Sequence, residues 1–193
     1  MGERYEVRLA GLGGQGLILA GIIFAEAAGI HDGHYVTQTQ SYGAAARGGF
    51  SRSDIVISDE EIHYPKATHL DLLLAMSQSA YEENIKDLKP GGTLLVDSTY
   101  VDSELKRDVI SIPFSKIARD KFGRENVANI IALGAITQIF PQVSSKSMEK
   151  AALNRVPKAY IDLNKNAFEE GVKVGKKALA ERKEGIKGKK NIE

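Results

Sequence analysis

The run Gly11-Leu12-Gly13-Gly14-Gln15-Gly16 constrains this chain more than any other stretch, because of what flanks it. Before it lies Tyr5-Glu6-Val7-Arg8-Leu9-Ala10, which reads as a strand. After it, Leu17 to Ala28 is apolar at helical spacing. A strand, a glycine turn and a helix open a doubly wound α/β domain. In such a unit Gly11 allows the tight turn, Gly13 lets the backbone approach a pyrophosphate, and Gly16 lets helix and strand pack closely. The helix start then presents free N–H groups and a partial positive charge to an anion. The alternative is structural: glycine also serves tight strand–helix packing with no ligand at all.

A dinucleotide site in this fold needs an acid at the end of the second strand, to hold the ribose hydroxyls. The second strand is expected at Tyr35-Val36-Thr37-Gln38-Thr39-Gln40, which ends in hydroxyls and amides. Asp32 falls before that strand, at its wrong end. The motif therefore argues against an NAD or FAD enzyme.

The remaining pattern alternates. Gly29 suits a helix C-cap. Ser51–Ser58 reads as a strand, and Asp59-Glu60 as a hairpin turn into a short strand Glu61-Ile62-His63 that ends at Pro65. Leu70–Met76 reads as a buried parallel strand. Ser77 and Ser79 can cap a helix to about Leu88, and Pro90-Gly91-Gly92 turns into the strand Thr93–Asp97. Val109–Ile112 is a last strand. Helices are expected at Ser115–Phe122, at Val127–Phe140, from Ser144-Ser145 to Leu153, and from Tyr160 to Ala180. The predicted fold is a mostly parallel, Rossmann-like α/β sheet with helices on both faces, one antiparallel hairpin insertion and C-terminal helices. Residues 1–180 form the domain and residues 181–193 a polar, mobile tail. In this fold the turn at 11–16 and the small-residue loop at 41–49 meet at the carboxyl ends of the strands.

Composition removes several function classes. The 193 residues carry a net charge of +1, which leaves no nucleic-acid footprint. With no cysteine, the chain has no disulfide, no thiol nucleophile and no thiolate-held zinc or iron–sulfur site. No signal-peptide pattern precedes the first strand, and no apolar run is long enough to span a bilayer, which points to a cytoplasmic protein. There is no Gly-x-Ser-x-Gly elbow, phosphate-loop Gly-Lys-Ser/Thr or His-Glu-x-x-His, and no catalytic residue is assigned. His31, His34, His63 and His69 read as loop residues. The loop 41–49 is different: Ser41, Arg47, Gly48 and Gly49 combine a planar cation with accessible backbone, suited to an anionic ligand or a partner surface. The expected ligand-binding set is Gly11, Gly13, Gly14, Gln15, Gly16, Ser41, Arg47, Gly48 and Gly49, with no metal ligands.

Gly-Leu-Gly-Gly-Gln-Gly-Leu-Ile-Leu-Ala-Gly (11–21), Gln-Thr-Gln-Ser-Tyr-Gly (38–43) and Ala-Arg-Gly-Gly (46–49) resemble the gamma subunit of 2-oxoacid:ferredoxin oxidoreductases. Segments 56–62, 75–78 and 91–97 extend the resemblance across roughly residues 5–175. The 38–43 run is most similar to the 2-oxoglutarate type (2-oxoglutarate synthase). The resemblance implies a subunit, inactive alone, of a complex that decarboxylates a 2-oxoacid oxidatively, forms acyl-CoA and CO2, and reduces ferredoxin. It implies alpha, beta and delta-type partner subunits that carry thiamine diphosphate, Mg and iron–sulfur clusters. It also places this chain on the coenzyme A side of the site, and an isolated chain can self-associate through its partner surfaces. In one place the sequence departs from the family: Ala44-Ala45 stands where members usually have Pro-Glu, which removes an acid and a rigid residue from the loop. A free-standing nucleotide-binding oxidoreductase and a scaffold that binds no ligand remain as alternatives.

Overall fold

The computed structural model describes residues 2–43, 49–102 and 108–190, with side chains to position 182. The strands are β1 (Arg4–Leu12), β2 (Tyr35–Tyr42), β3 (Phe50–Ser58), β4 (Leu70–Ala75), β5 (Leu88–Asp97) and β6 (Ile110–Ile112). They form one sheet in the order β2-β3-β1-β4-β5-β6. β1, β4, β5 and β6 pair in parallel, whereas β3 is antiparallel to both β1 and β2. β3 is thus the one strand that runs against the rest, and the mostly parallel α/β architecture read from the sequence holds.

The antiparallel element lies elsewhere than expected. Residues 61–63 form no strand; the chain leaves the sheet after Ser58, whose Oγ accepts the N–H of Glu60 at 3.0 Å. The hairpin is instead β2–β3, and β3 inserts between β1 and β2. The physical reason is burial: all but two residues of β3 are buried, so it needs a neighbour on each side, while 59–66 is polar and mostly exposed.

The helices are α1 (Leu17–Glu26), α2 (Gln78–Asn84), α3 (Phe114–Phe122), α4 (Ala128–Ile139), α5 (Ser145–Asn154) and α6 (Ile161–Lys190). Gly29 does not cap α1. It lies inside a π-helical turn, Ala27–His31, that carries the chain on to Asp32. α2 is shorter than expected and gives way to a 3-10 turn, Ile85–Asp87; β5 begins at Leu88, with a register shift opposite Leu70–Leu72 where Pro90-Gly91-Gly92 was expected to turn. The boundary drawn at 180 falls inside α6, whose backbone stays helical to Lys190.

The larger core lies on the face covered by α1 and α3–α6, where Val7, Leu9, Ile55, Leu72, Leu74 and Leu95 meet Phe24, Phe114, Ile131 and Phe168. The opposite face is smaller, with Leu73, Leu94 and Val96 under Ala80 of α2. α4 is buried at every residue except Gln138, as befits a helix that is apolar nearly all round.

Buried in the smaller face is a charge that the sequence reading missed. Arg8, 2% exposed, donates Nε and Nη2 to the two carboxylate oxygens of Asp54 at 2.7 and 3.0 Å. Nη1 bonds Asn84 and Asp87, and Nη2 also reaches the Ala67 carbonyl. Burial alone would lower the guanidinium's affinity for its proton; the bonds to Asp54 and Asp87 outweigh it and hold Arg8 cationic.

Candidate functional site

Parallel strands deliver their following loops and helix starts to one edge of the sheet. Here that edge carries the turn after β1, Met76 after β4, Asp97–Tyr100 after β5 and the start of α3 after β6. A cleft of about 340 Å³ opens there, lined by Gly14, Gln15, Met76, Ser115, Glu125, Asn126 and Ala128. The N-terminal ends of α1, α3 and α4 converge on it and favour an anion, while the carboxylate of Glu125 on its lining opposes one.

The glycine turn is built by its own side chain. Gln15 Oε1 accepts the Leu12 N–H at 2.7 Å, and Gln15 Nε2 donates to the Met76 carbonyl at 2.9 Å, which ties the ends of β1 and β4 together. Gly14 and Gly16 have φ of 97° and 73°, so both stand in the left-handed region that favours glycine. Gly14 faces open space, but a Cβ on Gly16 would fall 2.5 Å from Asn129 Nδ2. That Nδ2 donates to the Gly16 carbonyl at 3.1 Å and pins the start of α1 to α4. Gly11 lies within β1 and is needed for space: its Cβ would meet Gln15 Oε1 at 2.3 Å and Leu17 Cδ1 at 2.7 Å.

The turn and the loop between β2 and β3 are joined. Gly13 N–H donates to the Gly49 carbonyl at 2.7 Å, and Gly43 N–H to the Phe50 carbonyl at 2.7 Å closes the loop's base. Ser41 is half-buried on β2 opposite Arg52, which in turn pairs with Ala10. Two strand spacings put Ser41 about 10 Å from β1, away from the turn itself. Arg47 and Gly48 lie outside the described residues, as do Ala44 and Ala45.

Four residues at this edge escaped the sequence reading. Tyr100 donates its hydroxyl to Glu125 Oε1 at 2.7 Å, and Arg119 Nη1 bonds both Glu125 Oε2 (2.7 Å) and the Tyr100 hydroxyl (2.9 Å). Partial burial pushes the Glu125 carboxyl up, but the bonds from Tyr100 and Arg119 win and hold it below the ordinary carboxylate range. Asp97, fully buried, accepts the N–H groups of Thr99 and Ser115 at 3.0 and 3.1 Å and sets the floor of this corner. The available signal was position: Asp97 ends β5, Tyr100 follows it, and Arg119 and Glu125 lie in and after the helix that follows β6.

Asp32, the acid misplaced for a ribose, is committed elsewhere. Its carboxylate accepts the Ser144 N–H at 2.7 Å and the Ser144 hydroxyl at 2.9 Å, and also bonds Ser147 Oγ, so it braces Ser144, the N-cap of α5. The histidines are dispersed: His31 Nε2 lies 3.7 Å from Glu26 Oε1, and His69 Nδ1 contacts its neighbour Thr68. Among the described residues no group of three or more His, Asp or Glu side chains is placed to hold a metal ion.

With this geometry in view, residues 6–174 match the pyruvate ferredoxin/flavodoxin oxidoreductase family. The chain belongs to that family. It is 46% identical over 177 residues to 2-oxoglutarate synthase subunit KorC of Methanocaldococcus jannaschii, covering 90% of this chain and 95% of the relative. It superposes with a TM-score of 0.82 and 47% identity on the gamma subunit of a keto/oxoacid ferredoxin oxidoreductase from Geobacter sulfurreducens, over 92% of this chain and 98% of that one. A 2-oxoglutarate:ferredoxin oxidoreductase from Magnetococcus marinus, solved with 2-oxoglutarate, coenzyme A and succinyl-CoA, matches at 26% identity and a TM-score of 0.78 over 91% of this chain and 31% of the larger one. The resemblance to a gamma subunit of the 2-oxoglutarate type is therefore correct, and the chain is one component of an oxidoreductase complex. None of the described helices is long and apolar enough to cross a membrane.

Proposed function

We propose that this chain acts as the gamma subunit of a 2-oxoglutarate:ferredoxin oxidoreductase, in which it holds part of coenzyme A while 2-oxoglutarate is converted to succinyl-CoA and CO2. The observation that carries this reading is the near full-length match to a 2-oxoglutarate synthase subunit, together with a cleft at the carboxyl edge of the sheet in the matched region. Thiamine diphosphate, Mg and the iron–sulfur clusters are assigned to alpha, beta and delta-type partners, and ferredoxin to the complex as electron acceptor. The lack of cysteine is consistent with that division for clusters held by thiolates.

Coenzyme A carries a pyrophosphate, and the turn at 11–16 fits one. Gly14 offers backbone without a side chain at the mouth of the cleft, and the first turn of α1 supplies unpaired N–H groups by helix geometry. Gly49, two residues after Arg47 in the sequence, is fixed to Gly13 at the same edge. Arg47 supplies the countercharge in this reading, and Gln15 acts by holding the turn. Because Asp32 is tied to Ser144 at the start of α5, it is not free to hold a dinucleotide ribose, which disfavours a free-standing NAD enzyme.

The test is assembly followed by kinetics. The tagged chain, purified anoxically with its stoichiometric partners, should bring down a thiamine-binding chain and a ferredoxin-like chain. In that complex Arg47→Ala should raise the KM for coenzyme A and leave the KM for 2-oxoglutarate unchanged. Recovery of the chain alone would refute the subunit assignment. An unchanged coenzyme A affinity in an intact complex would refute the contact.

A further inference from the structure

The two edges of the sheet differ. β6 is a three-residue strand packed beside α6, and Arg182 of that helix reaches Asp108 just before the strand. β2 is an eight-residue strand at the other end of the order, with no described strand beyond it. Its sequence, Tyr-Val-Thr-Gln-Thr-Gln-Ser-Tyr, holds no charge and no proline. Proteins that keep an edge of this length monomeric normally place lysine, proline or a bulge on it, and β2 has none of these in its pairing with β3.

The phase of the edge follows from one bond. Gly43 N–H donates to Phe50 O, so Gly43 and Phe50 form a hydrogen-bonded pair, and alternation makes Ser41, Thr39, Thr37 and Tyr35 the residues that bond inward to β3. Val36, Gln38, Gln40 and Tyr42 therefore turn their N–H and C=O groups outward. These four match an antiparallel second copy of themselves: Val36 opposite Tyr42 and Gln38 opposite Gln40, about a twofold axis at Thr39. Every outward group finds a partner in that register. The side chains agree as well, since the exposed Tyr42 covers Val36 of the other copy and threonine faces threonine, while Gln38, whose amide donates to Ser53 Oγ at 2.8 Å, brings no charge against the exposed Gln40. Ile30, 74% exposed in the turn that packs against β2, adds apolar surface beside it. The lack of charge means that no like-charged pair opposes the contact.

We propose that β2 is a self-pairing edge through which two copies of this chain join into one continuous sheet, with Thr39 facing Thr39 of the second copy. This is independent of the coenzyme A reading and survives its failure.

The absence of cysteine makes the register directly testable. At a non-hydrogen-bonded antiparallel pair the Cα atoms are about 4.5 Å apart, within disulfide range. Full-length Thr39→Cys should cross-link to a dimer under mild oxidation, whereas Thr37→Cys, which faces Ser41 of the other copy, should stay monomeric. In sedimentation the unmodified chain should show a concentration-dependent dimer. That dimer should be lost in Gln40→Pro, which removes an outward N–H, and in Gln40→Lys, which keeps the backbone intact. Circular dichroism of both variants separates loss of pairing from loss of fold. A chain that stays monomeric, with no Thr39→Cys cross-link, overturns the proposal. Equal cross-linking of the two thiol variants overturns the register. If the outward amides of β2 resist hydrogen exchange only once the other subunits are added, a partner's strand occupies the edge and the self-pairing is wrong.

Discussion

Gly13 donates its backbone N–H to the carbonyl of Gly49 across 2.7 Å, and this bond makes two distant glycine-rich segments one surface. β3 intervenes between β1 and β2, yet the segments still meet. β2 runs in the direction of β1, so its exit loop emerges at the same edge as the turn after β1.

The first prediction concerns the turn. Gly14→Ala forces a side chain into a left-handed backbone at about 1–2 kcal/mol, with no steric contact to add. Gly16→Ala carries the same backbone cost and drives its Cβ against Asn129. Thermal unfolding should therefore rank Gly16→Ala below Gly14→Ala, each below the unmodified chain. Adding Asn129→Ala should relieve part of the excess in Gly16→Ala. An equal Tm for the two single variants would remove the Asn129 contact from the account.

The second concerns Arg8. Arg8→Met leaves Asp54, 7% exposed, as a carboxylate with its principal partner gone. Breaking a buried pair from one side costs about 3–5 kcal/mol, whereas replacing both members with apolar residues is often close to neutral. Chemical denaturation should show Arg8→Met strongly destabilised and Arg8→Met with Asp54→Leu largely recovered. Lys at position 8 should not rescue, because an ammonium cannot make the two-pronged contact to Asp54 and also reach Asn84 and the Ala67 carbonyl.

Local pattern explains what the sequence disclosed and what it did not. Leu70–Ala75 is apolar apart from Asp71, and it became the buried β4; Ser77 and Ser144 are N-caps, and both accept the expected N–H, from Ala80 and Ser147. The glycine turn was legible as a turn, but the roles within it were not: Gly14 and Gly16 take the left-handed backbone, and Gly11 supplies space. Those assignments depend on Gln15, Met76 and Asn129, which approach only in three dimensions. The place of β3 was hidden because hydrophobic alternation says that a strand is buried without naming its neighbours. Arg8 sits inside a strand that reads as apolar, and its acid partners at 54 and 87 are far away in sequence. At the site, Tyr100, Arg119 and Glu125 are unremarkable surface residues until β5, α3 and the turn before α4 bring them together.

The third prediction is a pH dependence at Asp32. Burial would raise this carboxyl, but hydrogen bonds from Ser147 and Ser144 outweigh it and hold it below the ordinary value. A depressed folded pKa contributes stability that is fully present above the unfolded value, about 3.9, and is lost as pH falls through the folded value. Asp32→Asn should destabilise by about 1 kcal/mol near neutrality, the difference between hydrogen bonds to a charged and to a neutral acceptor. It should also flatten the decline in stability below about pH 4. Parallel stability curves for the two proteins down to that range would refute an ionised Asp32 beneath the cap.

The last prediction tests the packing that positions the cleft. α4 and α6 touch through backbone: a Cβ on Gly171 would meet the Ile131 carbonyl at 2.1 Å, and one on Gly134 the Phe168 carbonyl at 2.3 Å. On an exposed helix Gly→Ala stabilises by about 1 kcal/mol. At Gly171 the obstacle is backbone, which no side-chain rotation relieves, so the helices must separate. Overpacking of this kind costs about 1–3 kcal/mol, and it outweighs the propensity gain. Because α4 carries Asn129, whose amide holds the carbonyl of Gly16, a displaced α4 also loosens the glycine turn. Gly171→Ala should therefore lower Tm and, in the assembled complex, weaken coenzyme A binding from a position in the core, away from the cleft. Glu169→Ala, at an exposed position of the same helix, should do neither. A stabilised Gly171→Ala would show that the two helices have room to part and that their contact does not fix the turn.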